Sequence, residues 1–280
     1  MNPRLARLSA ADGLGLAVRL WGEPTARTPL LCLPGLVRTG GDFARLAARH
    51  ATDRLVVALD YVGRGLSDRA TDWRRYRPER ILADVLDLCA ALHLHRVVIV
   101  GTSMGGLLAM GVAAARPRLL SAVALNDIGP EIGGAGLAAV KALVGREHVF
   151  PSLEEAAAWL RLNLPWLSLV TAEEWREFAA LTVARAADGT WRSVWDPRIE
   201  RTLEEATGRD LWPLFGALAH LPVLVVRGGA SDVLSAATAR RMKERKPDLA
   251  EIVLDGVGHA PTLSEPAIAP ALDTWLAAQP

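Results

Sequence analysis

Six short apolar runs, rich in β-branched residues, recur along this 280-residue chain and most constrain what it can fold into. They are "PLLCLPG" at 29–35, "RLVVALD" at 54–60, "RVVIVG" at 96–101, "SAVALND" at 121–127, "PVLVVRG" at 222–228 and "EIVLDG" at 251–256. In the third, Val97, Val98, Ile99 and Val100 are apolar at successive rather than alternate positions, as expected of a strand covered on both faces. Between the second and third, "PERILADVLDLCAALHL" repeats Ile81, Val85, Leu88 and Leu92 at helical spacing, with Arg80, Asp84 and Asp87 facing away. Strand runs joined by such helices predict an α/β fold on a mostly parallel sheet. The alternation lapses between about 131 and 212. Helix formers there are broken by "ADG" and "DPR" and preceded by the glycine-rich "GPEIGGAG" at 129–136. This predicts a core of residues 1–130 and 213–280 with an insertion at 131–212.

The third run ends as "VVIVGTSMGG", and the following "GGLLAMGVAAARP" has the composition of a helix. Gly101, Ser103 and Gly105 form a GxSxG pattern, in which the serine occupies a sharp strand-to-helix turn and small flanking residues let strand and helix pass closely. The hydroxyl then stands at a helix N-terminus, whose free N–H groups favour developing negative charge. A serine hydroxyl needs a neighbouring base, and histidine suits that role near neutrality. His50, His93, His95, His148 and His220 lie in helical or helix-end surroundings that suit surface or capping roles. His259 instead follows the last strand run in "VLDGVGHAPTLSEP", beyond two glycines, and is the predicted base.

The imidazole in turn needs a carboxylate to fix its tautomer. Asp232, in "VVRGGASDVLS" just past the fifth run, gives the order Ser103, Asp232, His259 and is the favoured acid. Asp127, in "ALNDIGP" at the end of the fourth run, is the alternative. Either could also serve locally, Asp127 in a turn and Asp232 as a cap for the helix starting near Ser235.

Composition narrows the partners. With 32 basic and 31 acidic residues the chain has no global field for nucleic acid or an anionic membrane, which points to a small-molecule substrate. No run approaches the roughly 18 apolar residues of a membrane span, and no signal-peptide core follows the first arginines, so a cytoplasmic protein is expected. Cys32 and Cys89 read as small core residues. In "DYVGRGLSD", Gly63 and Gly65 read as turn residues and Arg64 and Asp68 as surface or semi-buried pairing partners, because neither GxxxxGK[ST] nor GxGxxG is present. The histidines lack paired ligand spacing; no metal site and no cofactor are expected.

Taken together, "LLCLPGL", "DYVGRGLSD", "VGTSMGG", "LNDIGP", "RGGASDVLS" and "GVGHAPTLSEP" make the chain resemble an α/β-hydrolase-fold serine hydrolase of the capped, single-chain esterase type found in bacteria. The resemblance covers nearly the whole chain. It implies a sheet of about eight strands with helices on both faces, a helical cap at 131–212, and an oxyanion hole built from the backbone N–H groups of Met104 and Leu36. Many relatives carry His-Gly in the latter loop, where this chain has Pro34-Gly35. The implied activity is cleavage of small to medium, largely uncharged carboxylic esters through an acyl-enzyme. Carbon–carbon bond hydrolysis of the meta-cleavage-product type and lactone hydrolysis are alternatives, as is a non-catalytic ligand-binding receptor on the same fold. Ser103 disfavours the related dehalogenases and epoxide hydrolases, which use an aspartate nucleophile. Six of the nine tryptophans, Trp159, Trp166, Trp175, Trp191, Trp195 and Trp212, fall in the insertion or at its exit, so one or two rings are expected to face the substrate.

Overall fold

The computed structural model describes residues 2–206 and 209–280. In chain order its strands are β1 (Arg4–Ser9), β2 (Gly15–Trp21), β3 (Leu30–Leu33), β4 (Val56–Leu59), β5 (Val97–Thr102), β6 (Leu120–Asn126), β7 (Val149–Phe150), β8 (Val183–Arg185), β9 (Trp191–Ser193), β10 (Val223–Gly228) and β11 (Ala250–Leu254). The helices are α1 (Ala44–His50), α2 (Pro78–Ala91), α3 (Met104–Ala115), α4 (Gly134–Val144), α5 (Leu153–Asn163), α6 (Ala172–Ala180), α7 (Arg201–Ala206), α8 (Trp212–Gly216), α9 (Ala236–Arg245) and α10 (Ala269–Ala277).

Eight strands form one sheet in the order β1-β2-β4-β3-β5-β6-β10-β11. The six sequence-predicted runs supply its parallel part, from β4 to β11. The antiparallel edge of β1 and β2 was not legible as separate runs. Alternate residues of one strand enter opposite layers. Leu31, Leu33 and Ile99 meet Ile81 and Val85 of α2 and Leu108 of α3, whereas Leu30, Cys32 and Val98 meet Leu46 of α1 and Leu272 and Leu276 of α10. Each such buried side chain contributes about 1.5–3 kcal/mol. Both cysteines are buried free thiols, and burial pushes that of Cys89 up to about 12.

The segment between β6 and β10 carries α4 to α8 and a small antiparallel sheet, β7-β9-β8. These strands of two or three residues are too short to leave a periodic signal, so sequence reasoning found only helices. Phe150, Leu153, Leu160, Trp175 and Val183 form a core of the segment's own. Ser152 caps α5 through the Glu155 N–H, and Thr171 and Glu174 close a capping box on α6. The segment is tied to the loop after β4 at its far end. Gly65 N–H donates to the Val194 carbonyl (2.7 Å), Asp196 N–H donates to Gly63 (2.9 Å), and Arg64 forms a β-bridge with Trp195. Among the described residues no helix is long and apolar enough to cross a membrane.

Candidate active site

At the carboxyl end of β5 the chain turns sharply at Ser103, whose φ of 52° and ψ of −119° are unusual for a residue with a side chain. Such geometry costs on the order of 1–3 kcal/mol and persists only where the surroundings impose it. Here space imposes it: a methyl group on Gly101 would stand 2.5 Å from the Gly105 carbonyl carbon, and one on Gly105 would run into the Leu33 carbonyl. The turn lifts the Ser103 hydroxyl above the sheet at the start of α3.

His259 arrives from the loop after β11 with Nε2 2.9 Å from Ser103 Oγ. Its Nδ1 lies 2.8 Å from Oδ2 of Asp127. With Nδ1–H donating to the carboxylate, Nε2 is left as an acceptor for the serine proton. Asp127 is fully buried at the end of β6, with a left-handed φ of 54°. Its Oδ1 accepts from Gly228 N–H (2.9 Å) and its Oδ2 from the Ser231 hydroxyl (2.6 Å). Three donors thus hold the carboxylate in place.

This geometry differs from the favoured sequence reading, which set Asp232 against the histidine. The chain beyond β10 bends, with Ser231 N–H donating to the Gly228 carbonyl (3.0 Å). That bend turns the Gly228 N–H and the Ser231 hydroxyl toward Asp127, and Asp232, one residue on, is exposed at a cavity wall. Because β6 lies between β5 and β10, the residue ending β6 reaches the histidine first. The order serine, aspartate, histidine is met by Asp127 as well as by Asp232, so order alone could not separate them.

The loop after β3 passes beside the turn: a methyl group on Gly35 would stand 3.8 Å from Ser103 Cβ. Two fully buried side chains from "DYVGRGLSD" grip its carbonyls. Tyr61 hydroxyl donates to Pro34 O (3.1 Å), and Arg64 Nε donates to Leu36 O (2.8 Å). Among the described residues the backbone N–H groups of Leu36 and Met104 meet no protein acceptor. Arg64 also donates to Val62 O (2.7 Å), and no carboxylate among the described residues comes within ion-pair reach of it. Burial lowers its pKa to about 10. Sequence reasoning read Arg64 as a surface or semi-buried residue paired with an acid, since an arginine between two glycines carries no mark of burial.

Ser103 and His259 open onto a cavity of about 480 Å³ between the sheet and the inserted segment. Trp159, Trp166 and Phe178 line it, whereas Trp175 and Trp195 are buried in cores. Trp166 also secures the histidine loop, its indole N–H donating to the His259 carbonyl (3.1 Å) and its own carbonyl accepting from Gly258 N–H (2.9 Å). Arg38 in the wall is paired with Asp42 and stacked 3.9 Å over Phe178, and Arg45 is paired with Glu174 and Glu177. Two of the other histidines have partners of their own. His50 meets Asp273 at 2.8 Å, and the His148 ring meets Leu143 O and Trp159. No group of three or more His, Cys, Asp or Glu among the described residues converges as a metal site would.

A serine hydroxyl hydrogen-bonded to an imidazole that is itself bonded to a buried carboxylate has the chemistry of an activated nucleophile. Comparison with known proteins agrees with the architecture. The sequence pattern of the alpha/beta hydrolase family matches residues 30–269. The chain is 34% identical over 279 residues to the 3-hydroxybutyrate-oligomer hydrolase of Cupriavidus necator, covering 95% of each protein. It is 26% identical over 231 residues to the 2-(acetamidomethylene)succinate hydrolase of Mesorhizobium japonicum, covering 82% of this chain and 81% of that one. The crystal structure of an alpha/beta hydrolase from Novosphingobium aromaticivorans superposes with a TM-score of 0.93 at 37% identity, over 99% of this chain and 98% of the other. In sequence and in fold, the chain belongs to the alpha/beta hydrolase family.

Proposed function

We propose that the protein is a serine esterase that cleaves carboxylic esters of small to medium size, uncharged around the scissile bond, through an acyl-enzyme on Ser103. The unbroken hydrogen-bonded line from Asp127 through His259 to Ser103 at the cavity floor carries this reading. Ser103 Oγ attacks the ester carbonyl carbon as His259 Nε2 takes the hydroxyl proton. The oxyanion is received by the N–H groups of Leu36 and Met104. His259 then returns the proton to the departing alcohol oxygen as the ester C–O bond breaks. Water repeats the sequence, releasing the acid and restoring Ser103. Asp127 holds the Nδ1–H tautomer and stabilises the imidazolium formed at each step. The segment at 131–212 acts as the cap that shields the acyl-enzyme.

The ester reading, in preference to carbon–carbon cleavage, is supported by the 3-hydroxybutyrate-oligomer hydrolase, a relative alignable along almost the whole chain. The apolar rings beside Ser103 and the mutual neutralisation of Arg38 with Asp42 suit an uncharged reacting centre. The test is phosphonylation by a fluorophosphonate followed by intact mass and peptide mapping. A single adduct on Ser103, with hydrolysis of p-nitrophenyl butyrate lost in Ser103→Ala, is expected. An adduct on another serine, or full turnover by Ser103→Ala, overturns the reading, and binding of esters without turnover identifies a receptor.

A further inference from the structure

The charges around the cavity do not all cancel. Arg38 and Arg45 are tied to Asp42, Glu174 and Glu177. Among the described residues the remaining lining arginine or lysine is Arg146, an exposed residue just beyond α4 with no hydrogen-bond or ion-pair partner. The acid next to it in sequence, Glu147, pairs with Arg192 (3.2 Å), and Glu200, which packs by Gly145, pairs with Lys141 (3.2 Å). The positive charge is felt locally, since Arg146 adds to the burial that lowers the His148 pKa.

Its position along the cavity is set by α4. Gly136, Ala139, Val140 and Leu143 recur at helical spacing, and all line the cavity. The Gly136 end meets Asp232: a methyl group on Gly136 would stand 3.0 Å from Asp232 Oδ1. Asp232 adjoins Ser231, which holds Asp127. From Gly136 to Val144 the helix runs about 12 Å at 1.5 Å per residue, and Arg146 lies two residues past the end away from Asp232. Between them the wall is apolar. An anionic group is repelled by Asp232 at the near end and attracted by Arg146 at the far one.

We infer that Arg146 receives a carboxylate carried at the far end of a linear ester, so that the cavity takes chains with an uncharged scissile bond at Ser103 and a free acid terminus along α4. This rests on the esterase reading and names its substrate class. An oligomeric hydroxyacyl ester has that form: repeated uncharged ester links ending in one carboxylate.

The experiment compares a linear 3-hydroxybutyrate trimer bearing its free carboxylate with the same trimer capped as a methyl ester. Wild-type protein is expected to prefer the free acid in kcat/KM, and the ratio of free acid to capped ester should fall about tenfold in Arg146→Ala, chiefly through KM. Arg146→Lys should keep part of the preference and Arg146→Glu should reverse it. Added salt should raise KM for the free acid more than for the capped ester. Arg161→Ala, a cap variant outside the cavity lining, should keep the wild-type ratio. Equal ratios in wild type and Arg146→Ala, or the same fall in Arg161→Ala, overturn the inference while leaving the esterase reading intact. Failure of wild-type protein to turn over any ester or to be phosphonylated at Ser103 instead removes the reading beneath it.

Discussion

Two strand ends are each followed by an aspartate that the sequence offers as a partner for His259, and their surroundings could hardly differ more. Asp127, closing β6, is fully buried and accepts from His259, Gly228 N–H and the Ser231 hydroxyl. Asp232, beyond β10, is exposed at the cavity wall, with no side-chain hydrogen bond among the described residues. The loop carrying Asp232 spends its donors on Asp127. A strand end can thus serve a reacting group by holding another strand's carboxylate rather than by offering its own.

Substitutions can break or sharpen that contrast. The largest effect is expected for Asp127→Asn, which should lower kcat on the order of 10⁴-fold by favouring the wrong imidazole tautomer while the protein stays folded. Steady-state hydrolysis of p-nitrophenyl butyrate, with circular dichroism as a folding check, measures it. Next comes Gly228→Ala. A methyl group there would stand 2.5 Å from the Val257 carbonyl oxygen and 2.6 Å from that of Gly258, both backbone atoms of the histidine loop. A loss of about 2–3 kcal/mol is expected from urea unfolding. Ser231→Ala removes one of the three donors to Asp127 and should cost roughly tenfold in kcat. Asp232→Asn should change kcat for an uncharged ester by less than about threefold, as expected of an exposed carboxylate. A dead but folded Asp232→Asn protein beside an active Asp127→Asn protein would reverse the assignment.

The parts of this arrangement that were readable had local causes. β5 and its turn announce themselves because Val97, Val98, Ile99 and Val100 need cover on both faces and Gly101 and Gly105 need absent side chains. His259 stood out by its place after the last strand. The partner of His259 depends instead on which strand lies beside β5, and sheet order is a non-local property that spacing does not encode. Tyr61 and Arg64 were unreadable for a related reason: their targets, the Pro34 and Leu36 carbonyls, lie on a distant loop. Arg146 is similar, since the pairing of Glu147 with Arg192 and of Glu200 with Lys141 is set by the fold rather than by spacing.

The joint between Gly63–Gly65 and Val194–Asp196 fastens the 131–212 segment to the loop after β4. Arg64 pairs with Trp195 through its backbone and holds the Leu36 carbonyl through its guanidinium. At the opposite end, the tie from Gly133 N–H to the Val233 carbonyl (3.0 Å) adjoins Gly134 and lies a few residues after Gly129. Parting the Val194–Asp196 pairing would pull on the loop beside Ser103. One arginine thus fastens two things at once, the far end of the segment and the loop beside Ser103.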